Sequence, residues 1–294
     1  MKRKNMITIG TFDGVHTGHQ RLFARLETLA AQYLLKPLVL YFPLPPKTLL
    51  NPHPEMTVLT TPEEKKKLFR THGVPARILD FRALRLQSAA DFFKRLQKDY
   101  QLGGLLIGAD FAFAKNRQGG VEFLRDACAQ AHIPCEIMPF FNEGNTKISS
   151  SLIRKTLAQG DIARTTALLG RPYELTGKVI KGFQLGRKLG FPTANLDTGI
   201  YKILPLGVFA VKVRVGKKMY NGFCNIGFRP TVNTLHTRMP LVEVHIFRFR
   251  KSIYGRKITI WFVEKLRDEM KFQGLEALKQ QLTADKQHAE KLLQ

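Results

Sequence analysis

Residues 177–196 read GKVIKGFQLGRKLGFPTANL, and their interpretation decides what the second half of the chain is. Gly182 and Gly186 let backbone amides come close to an anion without interference from a Cβ. Arg187 and Lys188 supply positive charge, and Thr193 and Asn195 offer neutral oxygens two positions apart. Together they read as a cradle for a phosphate and its metal. The common phosphate loop, G-x-x-x-x-G-K-[S/T], does not occur in the chain. Taken alone, the glycines and basic residues would equally suit a surface turn between two strands.

The surroundings of the stretch are rich in β structure. Apolar runs at Tyr173–Lys181, Gly207–Val215, Tyr220–Gly227, Leu241–Phe249 and Lys257–Val263, with turns such as Val215-Gly216-Lys217-Lys218, predict an antiparallel barrel. Thr193 and Asn195 are expected in its mouth or along an edge. Leu275–Leu293, rich in Ala, Leu, Lys and Gln, closes the chain as a helix beginning near Gly274.

Toward the N-terminus the texture differs. Strand-like runs at Met6–Gly10, Pro37–Phe42, Ala76–Phe81, Gly104–Gly108 and Pro134–Pro139 alternate with helical periodicity at Thr17–Tyr33, Thr61–His72, Ala89–Tyr100 and Gly119–Ala131. That alternation predicts a mononucleotide-binding α/β domain over residues 1–170, ending in a helical stretch at Ser150–Leu169, with the barrel over 171–294. Five prolines between 43 and 57 predict a long loop.

Composition narrows the function. With 47 basic and 23 acidic residues the net charge is +24, which calls for anionic partners. The basic clusters Lys2-Arg3-Lys4, Lys65-Lys66-Lys67 and Arg248-Arg250-Lys251 are short and scattered, so solvated surface explains them better than a nucleic-acid footprint, and phosphorylated small molecules serve as well. Cys128, Cys135 and Cys224 form no C-x-x-C pair and no disulfide framework. With no signal-like or membrane-length apolar run, the expectation is a soluble cytoplasmic protein with no membrane partner; a homo-oligomer is left open.

Gly10-Thr11-Phe12-Asp13-Gly14-Val15-His16-Thr17-Gly18-His19 joins the first strand to the first helix, where open α/β sheets bind ligands. His16 and His19, three apart, can aim at one anion, and Gly18 allows that anion to approach the helix start. A metal pair is the weaker reading, since no third His or Cys ligand lies nearby. Ser149, Ser150 and Ser151 precede Arg154 at a second predicted helix start, another anion-binding arrangement. Gly108-Ala109-Asp110-Phe111-Ala112-Phe113 follows a strand end. In the second half, Glu243 sits in an alternating strand, where an outward surface carboxylate is the plain reading; His245 shares its face and is assigned to packing, and Cys224 is expected buried.

GRKLGFPTAN at 186–195 resembles the ATP and magnesium loop of riboflavin kinases, and the His16–His19 segment resembles the HxGH element of nucleotidyltransferases. ISSSLIR at 148–154 is similar to the ISSTxxR element and GADFAF at 108–113 to a GxDFxFG loop, although Ala114 replaces the last glycine. In joint order they resemble the bacterial bifunctional riboflavin kinase and FAD synthetase over nearly the whole length. The resemblance implies a Rossmann-like α/β nucleotidyltransferase domain followed by an antiparallel β-barrel riboflavin kinase domain with a C-terminal helix. It implies riboflavin, FMN and ATP as substrates, Mg2+ as cofactor, phosphorylation of riboflavin and then adenylylation of FMN to FAD.

By the same resemblance Glu243 is the kinase base, Thr193 and Asn195 hold the metal, and Gly182, Gly186, Arg187 and Lys188 hold the nucleotide. In the first domain His16, His19 and Arg154 are catalytic, Gly10, Thr11, Phe12, Gly18, Ser149, Ser150 and Ser151 bind nucleotide, and Asp110, Phe111 and Phe113 meet the flavin, as does Arg267 in the barrel. One departure stands out: relatives often read F-x-P-H-P where this chain has Phe42-Pro43-Leu44-Pro45-Pro46, so if that histidine holds flavin in relatives, FMN binding here must rely on the remaining loop and adenylylation would be the weaker activity. The competing readings are a nucleotidyltransferase for another phosphorylated acceptor, with a barrel that only binds, and a basic RNA-binding protein on an ancestral fold.

Overall fold

The computed structural model describes residues 3–50, 58–113, 119–144, 146–182, 184–199, 202–228 and 240–294. They form two compact units, Met1–Ser150 and Ser151–Gln294. Ala114, Arg229-Pro230-Thr231 and the 51–57 part of the proline-rich loop lie outside the described residues.

The first unit runs β1 (Asn5–Gly10), α1 (Thr17–Gln32), β2 (Lys36–Tyr41), α2 (Pro46–Leu50), α3 (Pro62–Thr71), β3 (Ala76–Ile78), α4 (Phe81–Leu84), α5 (Ala89–Asp99), β4 (Leu102–Gly108), β5 (Ala112–Phe113), β6 (Gly119–Gly120), α6 (Val121–Gln130), β7 (Cys135–Met138), β8 (Asn142–Glu143) and β9 (Thr146–Lys147). Its main sheet is parallel in the order β3-β2-β1-β4-β7. Helices cover both faces, which is why the strands read as continuous apolar runs. Ile7, Ile9, Leu38, Leu40, Leu105 and Ile107 join one core with Phe92 and Leu96 of α5. Met6, Val39 and Leu106 point the other way, onto Phe23 and Leu26 of α1 and Phe69 of α3. The connections reverse direction between β1 and β4, so the crevice at their carboxyl ends is the place where such sheets take ligands.

Two expectations change here. β3 stops at Ile78 rather than continuing to Phe81, because the Asp80 side chain accepts from Arg82 N at 2.9 Å and opens α4. The proline-rich segment contains α2, with Pro46 in the first turn, where a missing N–H costs nothing.

From Ser151 on, the second unit holds the rest of α7 (Ser150–Ala158), then α8 (Ile162–Leu169), β10 (Glu174–Ile180), α9 (Leu185–Lys188), β11 (Thr193–Asp197), β12 (Gly207–Val215), β13 (Lys218–Gly227), β14 (Leu241–Ile246), β15 (Lys257–Arg267) and α10 (Leu275–Leu292). The helical stretch expected at Ser150–Leu169 is two helices, since Gly160 at φ +75° ends one and Asp161 caps the next by accepting from Arg164 N. The barrel closes antiparallel in the order β10-β11-β14-β13-β12-β15. Gly216, at φ +60°, makes the tight turn between β12 and β13. Helix α10 covers one outer face, where Ala289 and Leu293 pack with Phe191, Phe223 and Phe247. Thr193 and Asn195 belong to β11, an internal stave between β10 and β14, and so do not lie on an edge. Among the described residues no helix is long and apolar enough to cross a membrane.

Candidate active sites

In the barrel, the glycine-rich stretch folds back onto β11. Gln184 takes the left-handed conformation at φ +59°, α9 makes one turn, and Phe191 N returns to Gly186 O at 2.7 Å. A Cβ on Gly182 would meet Asn195, whose Cγ and Oδ1 would lie 2.6 and 2.7 Å away, and one on Gly186 would run into the Phe191 carbonyl. Both glycines therefore permit close packing of the turn on the Thr193–Asn195 strand, a use beyond the anion access their spacing suggests.

Two cavities meet at Thr193. One, of about 420 Å³, is lined by Arg187, Val179, Val244, Ile246, Ser252 and Tyr254 among others. The other, of about 660 Å³, is lined by Phe191, Phe223, Asn225, Glu243, Arg267 and Phe272, with Thr193 common to both. Lys188 is exposed and lines neither. Glu243 sits in register with Asn195 on one side and Asn225 on the other, so a carboxylate lies between two carboxamides on one face of the wall.

His245, two residues on, packs against Phe191, Phe223 and Phe247 and sits 2.9 Å from the Pro192 carbonyl through Nδ1. A carbonyl can only accept, so Nδ1 carries the proton, and the ring braces the turn preceding Thr193. Burial lowers its pKa, against the opposing effect of that hydrogen bond. Cys224, fully buried, has its thiol pushed far up by desolvation and next by the Glu243 charge, as suits an inert core residue.

Arg267 does line the larger cavity, but its guanidinium is held bidentate by Asp285 of α10, at 2.9 and 2.7 Å. Gln281 donates to the same carboxylate at 2.9 Å. Asp285 is 3% exposed, although in the sequence it looks like any polar residue of a terminal helix.

In the first unit, the loop from Gly10 to His16 is wound tightly. Phe12 and Val15 adopt φ +50° and +41° around Gly14, rare for non-glycine residues and costly for a β-branched one. The Phe12 ring fills the space above Gly10 and joins the core beside Phe23 and Phe69, so Phe12 anchors the loop from within. His16 precedes α1 and its ring stacks on His19, centroids 3.6 Å apart and planes 19° from parallel. Gly18 is buried beneath His16, where a Cβ would lie 3.2 Å from the ring. The two imidazoles are thus brought together, His16 buried and His19 half-buried.

Oγ of Ser150, the last residue of the first unit, donates to the Asp13 carbonyl at 2.8 Å; Ser149 is half-buried, Ser151 exposed, and Arg154 lies in the second unit. After β4, Asp110 is exposed and paired with Lys147 at 2.7 Å, whereas Phe113 is a core residue against Phe92. Phe111 stacks on Phe113 from the half-buried layer outside. Lys65 overturns the expectation of a solvated lysine cluster, because its side chain is fully buried. Lys66 and Lys67 are exposed as expected. No group of three His, Cys, Asp or Glu among the described residues is arranged to hold a metal.

A parallel nucleotide-type sheet with paired histidines after its first strand, followed by a closed barrel whose carboxylate shares a cavity with a phosphate-type loop, defines a two-domain transferase acting on nucleotides. A family model for FAD synthetase matches residues 1–152 and one for riboflavin kinase matches residues 169–293. The chain belongs to the bifunctional riboflavin kinase/FMN adenylyltransferase family. The member from Bacillus subtilis (strain 168) is 34% identical over 291 residues, 97% of this chain and 92% of that one. The Haemophilus influenzae member is 36% identical over 284 residues, covering 95% and 91%. A crystal structure described as that of a macrolide-efflux protein from Streptococcus pneumoniae shares the fold, with a TM-score of 0.87 at 29% identity over 99% of this chain and 95% of its own.

Proposed function

We propose that the chain converts riboflavin to FMN and then FMN to FAD, consuming one ATP in each step. The observation that carries the kinase step is the placement of Glu243 and Thr193 on one cavity that adjoins a second through Thr193. The larger, aromatic-lined cavity suits the flavin ring, and the smaller, with Arg187 at its side, suits the nucleotide. Glu243 accepts the proton of the riboflavin 5′-hydroxyl as that oxygen bonds to the terminal phosphorus of ATP and ADP departs. Gly182 and Gly186 keep the turn pressed onto β11, and Lys188 adds charge at its rim.

Thr193 and Asn195 fit a magnesium ion in chemistry: they are hard oxygen donors, neighbours on one strand face, and too few to cage it, as expected where substrate phosphates complete the shell. When bound, magnesium neutralises charge on the phosphates.

For the second step, an oxygen of the FMN phosphate attacks the α-phosphorus of ATP and pyrophosphate leaves. His16 and His19 stabilise the charge that builds on the phosphate oxygens, while Gly10, Thr11, Phe12 and Gly18 shape the loop around them. Ser149, Ser150, Ser151 and Arg154 are assigned to phosphate binding, Arg154 on its place in the sequence element alone. Asp110 and Phe111 are assigned to the flavin, with Phe113 as their anchor. Adenylylation is assigned to residues 1–170 and phosphorylation to 171–294. Three free thiols favour a reducing, cytoplasmic setting. Incubation with riboflavin, ATP and magnesium, followed by chromatographic separation of flavins, tests the reading: FMN should appear first and FAD after it, and flavin that stays unmodified would refute it.

A further inference from the structure

Lys65 is a charged side chain with no exposure to solvent, placed beside the loop after β1 that carries the proposed adenylylation residues. Helix α3 opens with a capping box in which Thr61 and Glu64 satisfy each other's backbone. One turn in, Lys65 points inward, and its Nζ donates to three carbonyls: Thr11 O at 2.7 Å, Phe42 O at 3.0 Å and Pro43 O at 3.1 Å. An ammonium has three protons, and each has an acceptor. Thr11 begins the loop after β1 and Phe42-Pro43 the loop after β2, so a single cation ties together two loops at the carboxyl ends of adjacent parallel strands.

The neighbouring residues tighten the same clasp. The Asp13 carboxylate accepts from Leu59 N and Thr60 N at 3.1 Å and from Thr60 Oγ1 at 3.2 Å. Thr60 Oγ1 in turn accepts from Gly14 N at 3.0 Å. The segment from 59 to 65 therefore grips the β1–α1 loop at Thr11, Asp13 and Gly14, just before His16 and His19. That loop holds two non-glycine residues at positive φ, a conformation that persists only where the surroundings enforce it.

We propose that Lys65 is a positioning residue for adenylyl transfer, its ammonium locking the histidine-bearing loop to the loop after β2 so that both stay in reacting geometry. The proposal rests on the adenylyltransferase activity of this unit, and Lys65 itself touches no substrate. Charge matters to the clasp. A neutral amine keeps two protons and turns a lone pair toward one of the three carbonyls, so the clasp between the two loops is weakened.

Burial brings the Lys65 pKa down to about 8, opposed by the Asp13 carboxylate. Among the described residues, Tyr41 of β2 also lies near it, with its ring centre 5.9 Å away, and Glu64 of its own helix is turned to Thr61 N. Deprotonation as pH rises through about 8 should therefore slow adenylylation and leave phosphorylation in the barrel alone.

The test compares the full chain with Lys65→Met, following FAD formation from supplied FMN and FMN formation from riboflavin across pH. Expected is a loss of roughly tenfold or more in kcat for FAD formation, with FMN formation held within about twofold. The unaltered chain should also show an alkaline limb near pH 8, which the residual activity of Lys65→Met should lack. A folded Lys65→Met with unchanged kcat and the same alkaline limb overturns the proposal. If that variant does not fold, the unaltered chain decides: a limb near pH 8 confined to FAD formation supports the role, and a flat profile overturns it. Failure of the unaltered chain to make any FAD would instead strike the adenylyltransferase activity itself.

Discussion

Asn195 and Glu243 face each other across the β11–β14 ladder, and Asn225 faces Glu243 from the opposite side on β13. Side chains so paired stand about 5 Å apart on one face of the sheet. The carboxylate proposed as base is thereby fixed beside the residue proposed to hold the metal, by backbone register rather than by flexible loops. Glu243→Gln keeps this shape and removes the base. Formation of FMN should fall by about 10²–10⁴, while supplied FMN is still converted to FAD. Separation of flavin products after timed incubation measures both; a variant that phosphorylates riboflavin at the original rate removes Glu243 from the chemistry.

Gly182 is bound to the same row by contact. An added methyl group would overlap the Asn195 carboxamide, which is itself only 6% exposed and has little room to retreat. Gly182→Ala should therefore displace Asn195, and a shift of an ångström in a positioning group can cost about a hundredfold in rate. The loss should fall on kcat for FMN formation and deepen at low magnesium concentration, since Asn195 is the proposed ligand. Insensitivity to magnesium in the variant would detach Asn195 from the metal.

In the first unit, His19 stacks on His16 and meets the edge of Phe12, so its removal takes away one donor and loosens the other. His19→Ala should slow FAD formation by about a hundredfold or more and leave riboflavin phosphorylation nearly untouched. Equal loss of both activities would argue against two separate sites.

The elements that were legible in the sequence are those whose signals are local. The parallel strands are apolar runs, and the loop after β1 sits between one such run and an amphipathic helix, so its position could be read from a few residues. β11 was missed as a strand because Thr193-Ala194-Asn195-Leu196-Asp197 has low strand propensity and only Ala194 and Leu196 to show alternation. Lys65 and Asp285 were missed for a different reason. Each is a polar residue on a helix surface by local reading, and only contacts made after folding, with carbonyls 22 to 54 positions away for Lys65 and with Arg267 18 positions away for Asp285, take them out of water. The glycines at 182 and 186 read as turn residues, but Gly186 falls in the one-turn helix α9, and their closest neighbours, Asn195 and the Phe191 carbonyl, emerge only from the way the segment folds over the barrel wall.

The Arg267–Asp285 pair ties the end of β15 to α10 and forms part of the wall of the larger cavity. Its side chains are 17% and 3% exposed, so removing one partner leaves the other charge poorly solvated. Such a loss costs about 3–5 kcal/mol. Asp285→Ala should accordingly lower the melting temperature of the barrel by roughly 10 °C, with the near-ultraviolet signal of Trp261 on β15 as the reporter. It should also weaken riboflavin binding, because Arg267 swings free beside Phe272, whose ring centre now lies 5.8 Å from the guanidinium carbon. Fluorescence titration of riboflavin below the new melting temperature separates the two effects: a lowered melting temperature with unchanged affinity would make the pair a staple for α10 alone, and Arg267 would drop out of the proposed flavin contacts.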